Sequence, residues 1–175
     1  LRGSTYEAVL MVGPSHRESF DGVSIYPGDA YRTPLGDVPI HKEIRAALAA
    51  QSPVFILSDV GHRSEHCLEV QLPFLQKVLG EFSFVPMIVG NQSKEICLSL
   101  GTAIAEVARG KNILLVASSD LSHYHPYNTA VSLDRRVIDQ VESFDELALM
   151  EQIEIERVEA CGGGPMVSVM HAAKL

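Results

Sequence analysis

Residues 7–13, EAVLMVG, form a nearly continuous apolar run closed by a glycine, the pattern of a strand buried on both faces of a parallel sheet. The pattern recurs at 54–60 (VFILSDV), 82–90 (FSFVPMIVG) and 112–119 (NILLVASS). Between these runs the apolar spacing changes from continuous to helical. The segment 41–50 (HKEIRAALAA), the series Leu68, Leu72, Leu75 and Leu79, the stretch 93–109 opening on a Ser cap, and roughly residues 129–142 each predict a helix. Pro73 must kink the second of these or mark its true first turn. A last helix opens at CGGGP, residues 161–165, with Pro165 suited to a first helical turn. Strands alternating with helices require crossover connections, so we expect an α/β fold with a mostly parallel or mixed central sheet and helices on both faces. No internal repeat or linker interrupts the pattern, and residues 1–175 read as one domain.

Composition narrows the setting. With 175 residues, 46% of them hydrophobic, the chain can bury a core without disulfides or a structural metal. A formal charge of -8 and a pI near 5.3, with no Lys/Arg block, argue against nucleic acid as a partner. No apolar run approaches the roughly 20 residues of a spanning helix, which predicts a soluble protein with no membrane partner. Three scattered cysteines, Cys67, Cys97 and Cys161, make no disulfide framework, and the start of the chain lacks a secretory pattern, so a cytoplasmic location is expected.

In open α/β sheets ligands bind beyond the carboxyl ends of the strands. Three apolar runs here lead into His-bearing polar segments: His16 after the first, His62 and His66 after the second, Asp120 and His123 after the fourth. Cys161 precedes a helix whose N-terminus lowers a thiol's pKa, and Gly162 to Gly164 leave its sulfur little cover. Two imidazoles and one thiolate would make a three-ligand metal site with an open position, of the kind expected in catalysis. Sulfur favours zinc, copper(I) or iron(II) over magnesium and calcium. Asp120 could orient an imidazole and His123 could shuttle a proton. Glu65 and Glu69 flank His66 on its expected helix, either as carboxylate partners or as a solvated acidic face. His41, His125 and His171 lack comparable placement, and Cys67 and Cys97 read as small core hydrophobes.

The motifs GPSH (13–16), YRTPLGD (31–37), EHCLEVQLPFL (65–75), VPMIVG (85–90), SSDLSHY (118–124) and CGGGP (161–165) resemble the Memo family, whose prokaryotic members are called AmmeMemoRadiSam system protein B. The resemblance implies a fold like that of the class III extradiol (LigB-type) dioxygenases, non-haem iron enzymes that open catechol rings. It implies metal ligands at His16, His66 and Cys161, with Asp120 and His123 as catalytic residues lining the pocket. The cofactor it implies is iron(II) or copper, with zinc as a third candidate, and the activity a metal-dependent redox one. Cys161 replaces the dioxygenase carboxylate, so ring cleavage does not carry over, and Cys67 stands where a serine is expected. The family's upstream Pro-His-Ala-Gly-Tyr segment and its closing strands have no counterpart here, so residues 1–175 are expected to form a Memo-like domain lacking both terminal segments. By resemblance, partners would be a radical-SAM protein and an AMMECR-type protein. Two other readings stay open: a peptide- or protein-binding module in which Arg17 or Arg63 holds an anionic group, and a hydrolase with Cys161 as nucleophile, His123 as base and Asp120 as orienter.

Overall fold

The computed structural model describes residues 2–175. The first apolar run becomes β1 (Ala8–Pro14), buried at every position. The third and fourth become β6 (Phe84–Val89) and β7 (Ile113–Ala117), both parallel to β1 on either side of it. Successive side chains of β1 serve opposite layers. Ala8, Leu10 and Val12 join Ile44, Leu48, Leu100, Ile104 and Ala172 in one core, whereas Val9 and Met11 join Phe84, Ile88, Leu68, Leu72 and Val38 in another. The first layer is helical, from α1 (Lys42–Ala49), α3 (Lys94–Ala108) and α6 (Gly163–Lys174). The second combines α2 (Leu72–Leu79) with a hairpin of β3 (Ala30–Thr33) and β4 (Gly36–Pro39). Outside these, α4 (Tyr127–Glu142) and α5 (Glu146–Glu154) close a smaller core with α3 and α6 around Val137, Leu149 and Val167.

The rest of the sheet departs from the simplest reading. A three-residue strand, β2 (Val23–Ile25), lies antiparallel to β6 and parallel to β5 (Phe55–Leu57), giving the order β5-β2-β6-β1-β7. The sheet is therefore mixed, and β5 is an edge strand with Ile56 and Leu57 partly exposed, not a strand buried on both faces. Because β5 runs opposite to β1, β6 and β7, its carboxyl end lies at the other edge of the sheet. The segment after it returns across the α2 face, where His62 packs near Tyr26 and Tyr31, before reaching the end of β1. His66 thus arrives through a loop that doubles back. It also stands in a turn ahead of a short 3-10 stretch (Glu69–Gln71), not on the helix. Helix α2 begins at Leu72, which puts Pro73 in its first turn, where a missing N–H costs no hydrogen bond. Among the described residues no helix is long and apolar enough to cross a membrane.

Candidate metal centre

The parallel strands β1, β6 and β7 end at one edge, where the segments that follow β1 and β7, the turn before α2 and the start of α6 enclose a pocket of about 360 Å³. His16 follows β1, Ser118 and Asp120 follow β7, Cys67 and Gln71 come from the turn before α2, and Cys161 precedes α6. All six line this pocket. Beneath them the seam is tied by the Gln71 amide, which donates to Ser118 Oγ (2.7 Å) and to the Cys67 carbonyl (2.9 Å).

Glu65 anchors the site. Its carboxylate is buried (8% exposed) and accepts the backbone N–H of His16 (2.7 Å), His66 (3.0 Å) and Cys67 (3.1 Å), with His16 Nδ1 at 3.0 Å. Burial alone would raise the Glu65 pKa, but the bonds from the His16 ring and from the amides of His16, Cys67 and His66 bring it down to about 2. Glu65 is therefore ionised, and the His16 ring turns its Nδ1 toward it. The same pairing recurs at His66, whose Nδ1 lies 2.5 Å from Glu69 Oε1. Both imidazoles thus have Nδ1 engaged and Nε2 left over, the arrangement in which a carboxylate fixes a metal-binding histidine.

His16, Asp120 and Cys161 come together in the pocket, and His123 stands close to the last two. The Cys161 sulfur accepts the Asp120 N–H at 3.1 Å, and the Cys161 amide donates back to the Asp120 carbonyl at 3.2 Å. Ligand atoms of Asp120, His123 and Cys161 lie within 4.8 Å of one another, with His123 Nε2 3.9 Å from Asp120 Oδ2. His66 lies outside the pocket lining, its side chain 69% exposed and turned to Glu69.

Cys67 is the residue that sequence reasoning passed over. Its sulfur packs against the apolar core beside Gly13 and Leu68 but also lines the pocket, 3.6 Å from the Pro14 carbonyl and within 4.8 Å of a His16 ring nitrogen and a Glu65 oxygen. Burial, with the nearby Glu65 carboxylate and Cys161, pushes its pKa well above the ordinary thiol range. The missed signal was its place beside Glu65-His66, two residues from the anchoring carboxylate. Cys97, by contrast, is fully buried in the α3–α6 core, and burial raises its thiol to about 11.

The glycines after Cys161 have a packing role beyond leaving the sulfur uncovered. A Cβ on Gly162 would come 2.8 Å from Ser119 Cβ and closer still to the Ser118 carbonyl, and one on Gly164 would meet Cys97 Sγ at 2.7 Å. The start of α6 can approach the end of β7 only without side chains there. Gln92 completes the turn, accepting the Gly164 N–H (2.8 Å) and donating to the Cys161 carbonyl (2.9 Å). Gly162→Ala is expected to push α6 away from Ser118 and cost about 1–3 kcal/mol in urea unfolding, the usual penalty of overpacking; an unchanged midpoint would show that the turn has slack.

Arg63 and the three histidines outside the site have local partners. Arg63 is held by Asp59 (2.8 and 3.0 Å) and Glu18 (3.4 Å), which occupies the guanidinium an anionic ligand would need. His41 caps α1 by accepting the Ile44 N–H at 3.4 Å, His125 meets Glu159 at 2.9 Å, and His171 meets the buried Glu146 at 3.2 Å.

Comparison with known proteins agrees with the motifs. A family model described as "Memo-like protein" matches residues 1–175. Curated relatives named MEMO1 family protein include one from Methanopyrus kandleri, 38% identical over 173 residues and covering 97% of this chain and 61% of its own length. Another, from Sulfolobus acidocaldarius, is 34% identical over 177 residues, covering 99% of this chain and 62% of the relative. The chain thus spans about three fifths of the length of these relatives. A solved structure of an uncharacterized Escherichia coli protein, JW3007, superposes with a TM-score of 0.68 at 17% identity, over 95% of this chain and 75% of that one; at that identity the likeness concerns the fold.

Proposed function

This chain belongs to the Memo family, and from that premise we propose that it is a metal-dependent redox protein whose ligands are His16, His66 and Cys161. The observation that carries this reading is the pairing of both imidazoles with carboxylates through Nδ1, at Glu65 and at Glu69, which presents Nε2 to a ligand. The donor chemistry fits the group: two nitrogens and one sulfur suit iron(II) or copper, and zinc as the non-redox member of the set. When bound, iron or copper would supply electron transfer and a place for a small oxidisable ligand. The protein's own residues would supply the rest. Asp120, through its amide, holds the Cys161 sulfur, and His123 stands where it can pass a proton between the pocket and solvent. The likeness to extradiol dioxygenases enters this reading as a common pocket position, with a thiolate in place of a carboxylate. The proposed setting is the cytoplasm, where Cys161 stays reduced, and the proposed partners remain a radical-SAM protein and an AMMECR-type protein.

The test is elemental analysis of protein purified without chelator, wild type beside His16→Ala, His66→Ala and Cys161→Ala. The wild type is expected to retain iron or copper and each variant to lose most of it; equal metal in all four overturns the reading. The exposed placement of His66 makes its variant the most informative of the three. The cluster of Asp120, His123 and Cys161 supports one competitor, the cysteine nucleophile. Alkylation separates them, because bound metal should protect Cys161, whereas a nucleophile would react rapidly with metal present or absent.

A further inference from the structure

Among the described residues, nothing hydrogen-bonds to the outer side of the edge strand β5. Its ladder with β2 uses the Val54 carbonyl, which accepts the Val23 N–H at 2.9 Å, and the Ser58 N–H, which donates to the Ile25 carbonyl at 3.1 Å. Bonding groups alternate along a parallel ladder, so the N–H and C=O of Leu57 and the C=O of Phe55 point away from the sheet. The Leu57 side chain is 51% exposed, beside Val54 and Ile56 at 39% and 38%. Edges of this kind are ordinarily blunted by charge, by a bulge or by a covering element. Here residues 46–58, AALAAQSPVFILS, hold no charged side chain.

We propose that β5 is where two copies of this chain associate, by antiparallel pairing of their β5 strands into one continuous sheet. Leu57 makes the surface self-complementary. A two-fold axis through it lets the N–H of each copy meet the C=O of the other, the hydrogen-bonded pair of an antiparallel ladder. Charge favours the same edge. With a net charge of -8 two copies repel, and the repulsion is least where neither brings a charge. Asp59, the first charge beyond the strand, is already paired with Arg63. Helix α1 packs against β5, and its exposed Ala46 and Ala47 are too short to hold a second backbone off the edge. The opposite edge strand, β7, runs from Lys111 into Asp120 and so carries charge at both ends.

Sedimentation equilibrium of the whole chain from micromolar to millimolar concentration, with amide hydrogen exchange at both ends of that range, tests this. The apparent mass is expected to rise from 19.1 kDa toward twice that value. The rise should come late in the range, because a three-residue strand and its flank make a small interface. The Leu57 N–H, open in the single molecule, should gain protection in step with the mass. Leu57→Lys sets like charges across the axis and should weaken association by about tenfold or more. Leu57→Pro removes the outward N–H and no bond to β2, a change edge strands tolerate, and should do the same. Leu147→Lys adds the same charge at an exposed position of α5 and should leave the dimer intact. A constant monomer mass at every concentration overturns the proposal. So does a dimer that survives both Leu57 variants, or one whose new protection falls on Ile113 and Leu115 of β7. Urea unfolding shows whether each variant is folded, and the exchange pattern of the wild type decides the matter should either Leu57 variant unfold.

Discussion

Glu65→Ala is expected to cost about 3–5 kcal/mol of stability and to lower the affinity of the proposed metal site by about 10- to 100-fold. Removing the carboxylate strands three backbone N–H groups, those of His16, His66 and Cys67, together with the Nδ1 of His16. An unsatisfied buried donor costs about 1–3 kcal/mol, and the loop bearing His66 and Cys67 would lose its tie to the end of β1. Glu65→Gln separates the two effects. Its amide keeps the volume and one oxygen acceptor, so part of the stability should return. It puts an NH₂ where a donor now points, so the orientation of His16, and with it the affinity, should not recover. Urea unfolding and metal competition on the three proteins read both quantities. If Glu65→Ala unfolds at the wild-type midpoint and binds metal as tightly, Glu65 is not the anchor.

The second large effect is one of pH. His62 is buried, with Nε2 3.2 Å from the Ser24 carbonyl and Nδ1 2.7 Å from the Tyr31 hydroxyl. The backbone carbonyl can only accept, so Nε2 carries the proton and Nδ1 accepts from Tyr31 Oη–H. A second ring proton would displace that bond. Burial lowers the His62 pKa to about 4 against the weaker pull of the Ser24 carbonyl and of Asp59, Glu18 and Glu65. The unfolded chain, titrating near 6.5, binds the proton first. The contribution is therefore fully present above pH 6.5 and is lost as pH falls from there to 4, by about 3 kcal/mol in all. His62→Gln keeps a polar side chain without the titration, so its stability should vary much less across that window. Wild type and variant declining in parallel between pH 6.5 and 4 would show that other groups govern the acid response.

Much of this architecture was legible beforehand, for reasons particular residues make plain. The continuous apolar runs of β1 and β6 could only belong to strands covered on both faces, and the Ser93 cap and leucine spacing marked α3 and α2. The hairpin β3–β4 lies in a polar, turn-rich stretch where periodicity is weak, and the nine residues of α5 are too few, with apolar positions on more than one face, to mark a helical stripe. Strand β2 escaped notice because Val-Ser-Ile is too short to show a period.

For the candidate site, the chain's own pattern determined which chemistry-bearing residues follow which strands, and six motifs placed them in the Memo family. Tertiary structure alone decided the direction of β5, the return of the His62–His66 loop to the edge shared by β1 and β7, and the meeting of Glu65 with His16 across 49 residues of chain. It also set Cys67 at the border between the core and the pocket wall and turned His66 toward Glu69. Periodicity records whether a residue faces apolar or polar surroundings within its own element. Strand direction and hydrogen bonds between distant segments arise only when the two sheet faces are packed and buried donors take the acceptors within reach.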